Sequence, residues 1–146
     1  MIKRSLQFGS IYWAIIFVLM SIVLFLPFSA GNIILQHGIL WLVLVPVTLG
    51  LTKWYFREVD PTPINGIKLW AVTMTVGFIL DNVVTVPLFI AQEFNGDTMA
   101  AFQSFYTNWM LYVGFIWSLV LMIYAGYEAD RAPHLGVRKE QDETSE

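Results

Sequence analysis

Asp81 and Asn82 are the two residues of this sequence best suited to do chemistry, because they stand side by side in an apolar run. Residues 77–90 read GFILDNVVTVPLFI. An aspartate at the centre of a membrane helix costs about 2.5–3.5 kcal/mol to insert, and burial favours its neutral acid unless a cation or several donors stabilise the carboxylate. A carboxyl group with donors but no fixed counter-charge can bind and release a proton. The sequence therefore predicts a protonatable site at Asp81.

The composition predicts that membrane helices position this pair. Of the 146 residues, 57% are hydrophobic and 13% are charged, and the mean hydropathy is +0.63. Soluble domains average about 25% charged residues, and a membrane helix needs about 20 mostly apolar residues. Four segments qualify: 10–28, 33–52, 67–90 and 104–127. The expected fold is all-α, an integral membrane four-helix bundle with up-down-up-down topology in one domain, residues 1–128.

The placement of charge predicts which end of the bundle faces the cytoplasm. All eight basic residues fall at the N-terminus, around the middle connection or on the tail: Lys3, Arg4, Lys53, Arg57, Lys68, Arg131, Arg138 and Lys139. The other two connections contain none, and positive charge favours the cytoplasmic side. Both termini are therefore expected in the cytoplasm, and the charged tail 129–146 is expected to be disordered at its end.

Aromatic residues are predicted to form belts at the two membrane boundaries. The expected inner belt contains Tyr12, Trp13, Trp54, Tyr55, Trp70 and Tyr124, and the outer one contains Phe28, Phe102, Tyr106 and Trp109.

A stripe of small and polar residues on the third segment is predicted to face the other helices. Its members recur at intervals of four and so share one helical face: Thr73, Gly77, Asp81 and Thr85. Small residues at such a face allow close approach of membrane helices. Each of the other segments has a comparable stripe, so a closed bundle with these faces inward is expected. The stripes are Ser10, Ala14 and Ser21 on the first segment, His37, Trp41, Thr48 and Thr52 on the second, and Gly114, Ser118 and Ala125 on the fourth.

Depth along the helices groups further residues with Asp81, at a rise of about 1.5 Å per residue. The candidate ligand or proton site contains Asp81, Asn82, His37, Trp41, Thr85, Asn108 and Tyr112. His37 is the candidate cation, and it reaches Asp81 only with a stagger between the second and third helices. The expected shape is a polar cup open to the outside, above a drier inner half.

Glycine, asparagine and proline mark the predicted helix boundaries. The pairs Gly31-Asn32, Asn65-Gly66 and Asn95-Gly96 are predicted turns, and Pro63 after a Thr62 cap can open the third helix. The segment 91–106 spaces its apolar residues at helical intervals. It either lies flat on the outer leaflet or forms the first turn of the fourth helix, and both alternatives stay open.

Three runs resemble the pattern of small four-span bacterial membrane proteins of unknown function: KWYFR at 53–57, GFILDNVVTVPLF at 77–89 and WMLYVGF at 109–115. The resemblance implies a multi-pass protein of the bacterial inner membrane. It implies no activity.

Three functional classes are considered. The first is a proton-linked transporter or ligand-binding protein, with Asp81 in a pocket for a small cationic or amphipathic ligand; as a transporter, so small a bundle would require a homodimer. The second is a non-catalytic subunit that contacts another membrane protein through its helices, with Asp81 as a structural hydrogen-bonding residue. A membrane enzyme ranks last, because no nucleophile–base pair is found.

No metal site or cofactor is predicted, because one histidine and one aspartate on different helices lack the converging ligands that a metal needs. The lipid bilayer is the expected environment, and no nucleic acid is expected as a partner.

Overall fold

Four long helices dominate the part of the chain that the computed structural model describes, residues 2–24, 26 and 31–131. They are α1 (Ile2–Leu24), α2 (Ile33–Tyr55), α3 (Pro63–Leu80) and α6 (Trp109–Arg131). After α3 the chain continues as a π-helix (Asp81–Ile90) and the short α4 (Ala91–Glu93), and α5 (Thr98–Thr107) precedes α6. Four stretches are long and apolar enough to cross a membrane: Ile2–Val23, Ile33–Tyr55, Pro63–Glu93 and Trp109–Arg131.

The four long helices form two antiparallel hairpins. Contacts within each hairpin run in opposite orders along its two helices: Ser5–Tyr55 and Tyr12–Thr48 between α1 and α2, and Gly66–Met122 and Trp70–Ser118 between α3 and α6. The predicted all-α bundle with alternating helix directions is confirmed.

The two hairpins pack side by side, α1 along α3 and α2 along α6. Contacts between them keep the same order along both helices: Gly9–Val76 and Trp13–Asp81 on one side, and Trp41–Trp117 and Lys53–Glu128 on the other. α2 and α3 therefore occupy opposite corners of the bundle. We call the end that holds Ile2, Tyr55, Pro63 and Arg131 the basal end, and the end that holds α5 and the start of α6 the apical end.

Backbone contacts at two glycines close the basal end. A Cβ atom at Gly66 would lie 2.6 Å from the carbonyl oxygen of Met122, and one at Gly126 would lie 2.6 Å from that of Thr62. Small residues of this kind let membrane helices approach closely. The apolar core packs beside them and contains Phe8, Tyr12, Leu40, Leu44, Tyr55, Phe56, Leu69 and Met122.

The π-helix and α5 form a second packing unit at the apical end. Pro87 has no N–H, so it interrupts the α-helical hydrogen-bond pattern. The bond from the Ala91 N–H to the Val86 carbonyl instead joins residues five apart, as in a π-helix. Val86 and Ala91 are buried together against Ala101 of α5. Asp81 lies five residues before Val86, where the wider turns begin.

The helices differ in extent from the predicted apolar segments. α1 begins at Ile2 and α3 begins at Pro63, both earlier than the segments at 10 and 67, while α6 begins at Trp109 rather than 104. The predicted segments count apolar residues alone, whereas a helix continues through polar residues until its hydrogen bonds are capped.

Two of the three predicted turns have the backbone conformation that their residues favour. Gly31 has φ 77°, and Asn95 and Gly96 have φ 54° and 86°. The prediction for Asn65-Gly66 is wrong, because both residues lie inside α3. The predicted Thr62 cap explains this: its side chain accepts a hydrogen bond from the Asn65 N–H, which starts the helix at Pro63.

Candidate proton and ligand site at the π-helix

Asp81 begins the π-helix and receives two hydrogen bonds on a single carboxyl oxygen. Trp13 Nε1 of α1 donates to Oδ1 at 2.8 Å, and the Thr85 hydroxyl one turn further along donates to the same atom at 2.7 Å. Among the described residues, no donor bonds to Oδ2. One oxygen is therefore fixed by the protein, and the other can carry a proton or face a ligand.

The ion pairs of the described chain lie at the basal end, away from Asp81. Arg4 pairs with Glu58, and Lys53 Nζ lies 3.0 Å from Glu128 Oε1. Within residues 2–24, 26 and 31–131, Asp81 has hydrogen-bond donors but no cationic partner. This is the arrangement in which a partly buried carboxyl group can exist as the neutral acid.

Asn82 joins the π-helix to α5. Its amide Nδ2 donates to the Phe78 carbonyl at 2.6 Å and to the Tyr106 hydroxyl at 2.7 Å. The Tyr112 hydroxyl donates to the Tyr106 carbonyl at 2.8 Å, which adds the start of α6. We call Trp13, Asp81, Asn82, Thr85 and Tyr106 the Asp81 cluster.

Tyr106 lies outside the candidate membrane spans and is a neutral phenol at pH 7. Burial raises the pKa of the Tyr106 hydroxyl, the Asn82 hydrogen bond lowers it, and the nearby Asp81 and Tyr112 raise it further. A neutral hydroxyl can accept a hydrogen bond from the Asn82 N–H and still donate one of its own.

Aromatic rings line both sides of the Asp81 cluster. The Trp13 and Phe17 rings stack with centroids 5.4 Å apart, and Phe89 meets Phe17 edge-on at 5.0 Å. On the other side, the Phe78 and Tyr106 ring centroids are 5.7 Å apart. Rings of this kind attract cations through their negative faces.

His37 and Trp41, which the sequence groups with Asp81, form a separate contact on α2. His37 Nδ1 lies 2.9 Å from the Ile33 carbonyl, and its ring meets that of Trp41 at 6.2 Å. Trp117 Nε1 of α6 donates to the Trp41 carbonyl at 3.2 Å. Because α2 and α3 occupy opposite corners, the stagger that would bring His37 to Asp81 does not occur.

Asn108 and Tyr112 support the apical end rather than contacting Asp81. The Asn108 side chain accepts a hydrogen bond from the Met110 N–H and caps the start of α6, where the backbone is extended at φ −71° and ψ 106°. α5 is therefore a helix of its own and not the first turn of the fourth span. Tyr112 reaches the cluster only through the Tyr106 backbone.

Trp13 and Tyr106 are site residues that the sequence interpretation missed, since both are assigned there to boundary belts. With α1 beginning at Ile2, Trp13 lies about 16 Å along the helix, well inside the span. The parallel packing of α1 on α3 then places it beside Asp81. If the first span had been predicted to begin near Ile2 rather than at residue 10, Trp13 would have been placed inside the span and not in a boundary belt.

Two expectations about where polar residues lie are wrong. Among the described residues, most buried polar side chains lie toward the basal end, at Ser5, Thr48, Thr52 and Thr73, so the half that the charge pattern predicts to face the cytoplasm is not the drier one. Ser10 and Ala14 are exposed and face away from the bundle. α1 instead turns Phe8 and Tyr12 inward, because these large rings fill the space between the hairpins.

Two surface grooves of the described chain lie away from the cluster. One of about 520 Å³ is lined by Leu6, Gln7, Ser10, Ile11 and Trp54, and one of about 270 Å³ by Glu58, Val59, Asp60 and Asn65. Both lie at the basal end and neither is lined by Asp81. Among the described residues, no group of three His, Asp or Glu side chains could hold a metal ion.

Phe28 of the predicted outer belt lies outside the described residues, and so do residues 132–146, which contain the predicted disordered end of the tail. The four long apolar helices are consistent with a small four-span membrane protein. Comparison of the chain with protein-family models, with curated proteins and with solved structures finds no match, so no family is assigned and the architecture alone is shared with that class.

Proposed function

We propose that Asp81 is the protonatable centre of a small multi-pass membrane protein that binds, and as a dimer transports, a cationic or amphipathic ligand. The observation that carries this is the hydrogen bonding of the carboxyl group: two donors on Oδ1, none on Oδ2, and no cationic partner among the described residues. Ionisable groups inside membrane spans are costly, which makes a functional role the first hypothesis for them.

The surroundings of Asp81 favour a cation that carries apolar groups. The carboxylate supplies the opposite charge at Oδ2, and the ring faces of Trp13, Phe17 and Phe78 supply apolar contact and cation–π attraction. Proton and cation compete for one carboxyl group in this arrangement. Binding of the ligand therefore releases the proton, and protonation releases the ligand.

The basal end is assigned to the cytoplasm of a bacterial cell, so that the Asp81 cluster opens toward the outside. Every described basic residue lies toward the basal end, at Lys3, Arg4, Lys53, Arg57, Lys68 and Arg131, and the apical connections carry the acids Glu93 and Asp97. The chain has no cysteine. Single-cysteine variants at Arg57 and Asp97 would therefore report sidedness cleanly, and labelling of Arg57→Cys by an impermeant maleimide in intact cells would reverse the assignment.

Infrared difference spectroscopy in lipid tests the protonation of Asp81. We expect a protonated-carboxyl band that changes between about pH 4 and about pH 9, a range that begins near the ordinary carboxyl pKa and extends beyond that of histidine. Asp81→Asn should abolish the band, while Glu93→Gln, which removes an exposed apical acid, should leave it. A band that does not change with pH would assign Asp81 a fixed structural role.

Ligand binding is tested with tetraphenylphosphonium, a cation surrounded by aromatic rings. We expect it to raise the thermal unfolding temperature of the wild type and of Glu93→Gln, and to lose this effect in Asp81→Asn. It should also shift the carboxyl band, because proton and cation share one group. Equal stabilisation of Asp81→Asn would contradict a ligand site at this residue.

A second function, that of a non-catalytic membrane subunit, is favoured by the outward face of α1. Gln7, Ser10 and Ala14 are exposed there at helical spacing, and polar or small residues on a lipid-facing helix favour contact with another helix. Ala14→Leu should then reduce co-purification with a membrane partner or a second copy, whereas Asp81→Asn should still assemble. The reverse pattern would support the ligand-binding function.

A further inference from the structure

An open groove lies on the outer side of the α1–α2 hairpin, near the basal end. It has a volume of about 520 Å³ and is lined by Leu6, Gln7, Ser10 and Ile11 of α1 and by Trp54 of α2. Small-molecule sites have volumes of about 300–1,000 Å³, with mostly apolar walls and a few polar groups. This groove, which we call the α1–α2 groove, has that size and that kind of lining.

Arg4 holds the Trp54 wall of the α1–α2 groove in place. Arg4 Nη2 donates to the Trp54 carbonyl at 2.7 Å, and Arg4 Cζ lies 4.6 Å from the centroid of the Trp54 ring. The same guanidinium pairs with Glu58, which neutralises its charge. The wall is therefore formed before any ligand arrives, and a preformed site reduces the ordering cost of binding.

Lys3 and Arg57 place positive charge beside the groove on its basal side. Lys3 lies one turn before Gln7 on α1, and Arg57 follows Trp54 by three residues, with its backbone N–H bonded to the Trp54 carbonyl. Both residues are exposed, and within the described part of the chain neither forms an ion pair. An anion can therefore approach them without breaking an existing pair.

Charged, polar and apolar side chains follow one another along α1 in the order in which a phospholipid presents its own groups. Gln7 lies about 6 Å above Lys3 and Ile11 about 12 Å above it, at a rise of about 1.5 Å per residue. A phospholipid has a charged phosphate at the membrane surface, then ester carbonyl oxygens, then hydrocarbon. Lys3 matches the phosphate, the two N–H donors of the exposed Gln7 amide match an ester carbonyl, and Ile11 matches an acyl chain.

We propose that the α1–α2 groove binds one anionic phospholipid from the leaflet at the basal end, with its phosphate at Lys3 and Arg57 and one acyl chain against Trp54. Basic residues at a membrane boundary attract anionic lipids in general. The preformed groove is what confines the attraction to one molecule. Such a site requires only that the helices span a bilayer, so it depends neither on the role of Asp81 nor on which side the basal end faces.

A second copy of the chain fits this face less well than a lipid does. In a two-fold contact the same residues of both copies face each other, so Lys3 and Arg57 of each copy would bring like charges together. Like charges across an interface oppose association. An anionic lipid neutralises the same charges and covers the apolar wall with hydrocarbon.

Native mass spectrometry of the full chain in a neutral detergent tests the charge preference. The probes are phosphatidylglycerol and phosphatidylcholine with identical oleoyl chains. We expect one phosphatidylglycerol to bind the wild type at least about tenfold more tightly than phosphatidylcholine, and Lys3→Gln and Arg57→Gln each to weaken its binding about fivefold. Lys68→Gln is the matched control, since Lys68 is an exposed basic residue of α3 that does not line the groove. Equal affinities for the two lipids, or equal losses in Lys68→Gln and Lys3→Gln, would overturn the proposal.

Ser10→Phe tests whether the lipid occupies the groove, because the added ring fills it and leaves every charge in place. We expect no phosphatidylglycerol to remain bound at the concentration that saturates the wild type. Thr75→Phe is the control, since the Thr75 hydroxyl, like that of Ser10, is exposed and bonds the carbonyl four residues earlier in its own helix. Retained binding in Ser10→Phe would overturn the groove as the site. A wild type that is a lipid-free dimer and becomes monomeric in Ser10→Phe would assign the groove to a second copy instead.

A photoreactive phosphatidylglycerol locates the bound lipid directly. With a diazirine near the ester end of one acyl chain, the label should be concentrated on residues 6–11 and on Trp54. Val18 of α1 and Ile116 of α6 are exposed apolar residues that do not line the groove, so they should be labelled no more strongly than by photoreactive phosphatidylcholine. Labelling spread evenly over the exposed apolar faces would contradict a single lipid site.

Discussion

The basal and apical halves of this bundle are built from similar apolar residues, but their helices pack in different ways. At the basal end, glycines bring α3 and the end of α6 into backbone contact, and a core of large rings fills the space between the hairpins. At the apical end, the third span widens into a π-helix that packs mainly on the short α5, while Trp13 and Phe17 of α1 contact its other side. The polar residues differ accordingly: hydroxyls buried in a tight seam below, and a partly exposed carboxyl group above.

This difference indicates where the molecule can change without unfolding. Where a glycine packs against a backbone carbonyl, moving either helix costs energy, because close-packed interiors resist small shifts. A π-helix is rarer than an α-helix and is frequent at functional sites. We therefore expect the basal half to carry the stability of the protein and the apical half to carry its response to protons and ligands.

Gly66→Ala should have the largest effect on stability. The added Cβ would lie 2.6 Å from the Met122 carbonyl oxygen, which cannot move without shifting α6. Overpacking costs about 1–3 kcal/mol and the helix propensity of alanine returns up to about 1 kcal/mol, so a net loss of about 1–2 kcal/mol in the free energy of unfolding is expected. Reversible unfolding in mixed micelles measures it.

Gly77→Ala is the matched control for that substitution. Gly77 lies in the same helix, and a Cβ there would meet no atom within 4 Å. Its free energy of unfolding should stay equal or rise by up to about 1 kcal/mol. Equal losses in the two variants would contradict the division of the bundle into a tight basal half and an open apical half.

Trp13→Phe should have the next largest effect, and it should change Asp81 as well as stability. Phenylalanine keeps a ring against Phe17 but removes the indole donor from Oδ1. Hydrogen bonds to charged groups contribute about 1.5–3 kcal/mol in water-soluble proteins and those between membrane helices average about 0.6 kcal/mol, so a loss of about 1 kcal/mol is expected. The infrared band of the Asp81 carboxyl should also shift.

Trp117→Phe is its control, because that indole donates to a backbone carbonyl, that of Trp41, on the opposite side of the bundle. It should lower stability by a comparable amount without moving the Asp81 band. A shift of the band in Trp117→Phe would show that the two sides of the bundle are not independent.

The sequence was sufficient for the parts of the fold that depend on local composition. Apolar length identifies the spans, and the Thr62 cap with Pro63 identifies the start of α3. The turn predicted from local composition at Asn65-Gly66 was wrong, because this dipeptide is also compatible with a helix. Thr62 caps the helix before it, and the Met122 backbone of α6 leaves room only for glycine at position 66.

The candidate site depended on information that a single sequence does not contain. Asp81, Asn82 and Thr85 lie within one helical turn of the chain and could be grouped from their spacing. Trp13 could not, because its contact with Asp81 depends on how the two hairpins pack. His37 was grouped with Asp81 by depth alone, and depth does not say which corner of the bundle a helix occupies.

The pKa of Tyr106 gives a smaller and more specific test of the apical cluster. Because the Asp81 carboxylate raises this pKa, Asp81→Asn should move it back toward its ordinary value. The folded phenol keeps its proton after the unfolded one has lost it, so stability should fall as the pH rises above the usual tyrosine range, and less steeply in Asp81→Asn. ¹³C chemical shifts of labelled tyrosine, assigned with Tyr106→Phe, measure the titration, and an unchanged pKa would place Asp81 out of electrostatic reach.

The ion pair between Lys53 and Glu128 should have the smallest effect, although its geometry is good. The charged atoms are 3.0 Å apart, but the two side chains are 44% and 42% exposed. Exposed pairs typically contribute about 0.2–1 kcal/mol, since water and salt screen the charges. A double-mutant cycle with Lys53→Gln and Glu128→Gln should therefore give a coupling energy of about 0.5 kcal/mol or less, which falls further in high salt.

A second double-mutant cycle, with Trp13→Phe and Asp81→Asn, tests the difference between the two halves. Its coupling energy is compared with that of Lys53 and Glu128. The apical pair is a single hydrogen bond between partly buried groups, so its coupling should exceed that of the basal ion pair and should not respond to salt. A larger, salt-sensitive coupling for Lys53 and Glu128 would mean that charge attraction contributes to holding α2 against α6 at the basal end, beside the glycine contacts that hold α3 against α6. The stability of the basal half would then depend on ionic strength, whereas stability that comes from the backbone contacts at Gly66 and Gly126 does not depend on salt.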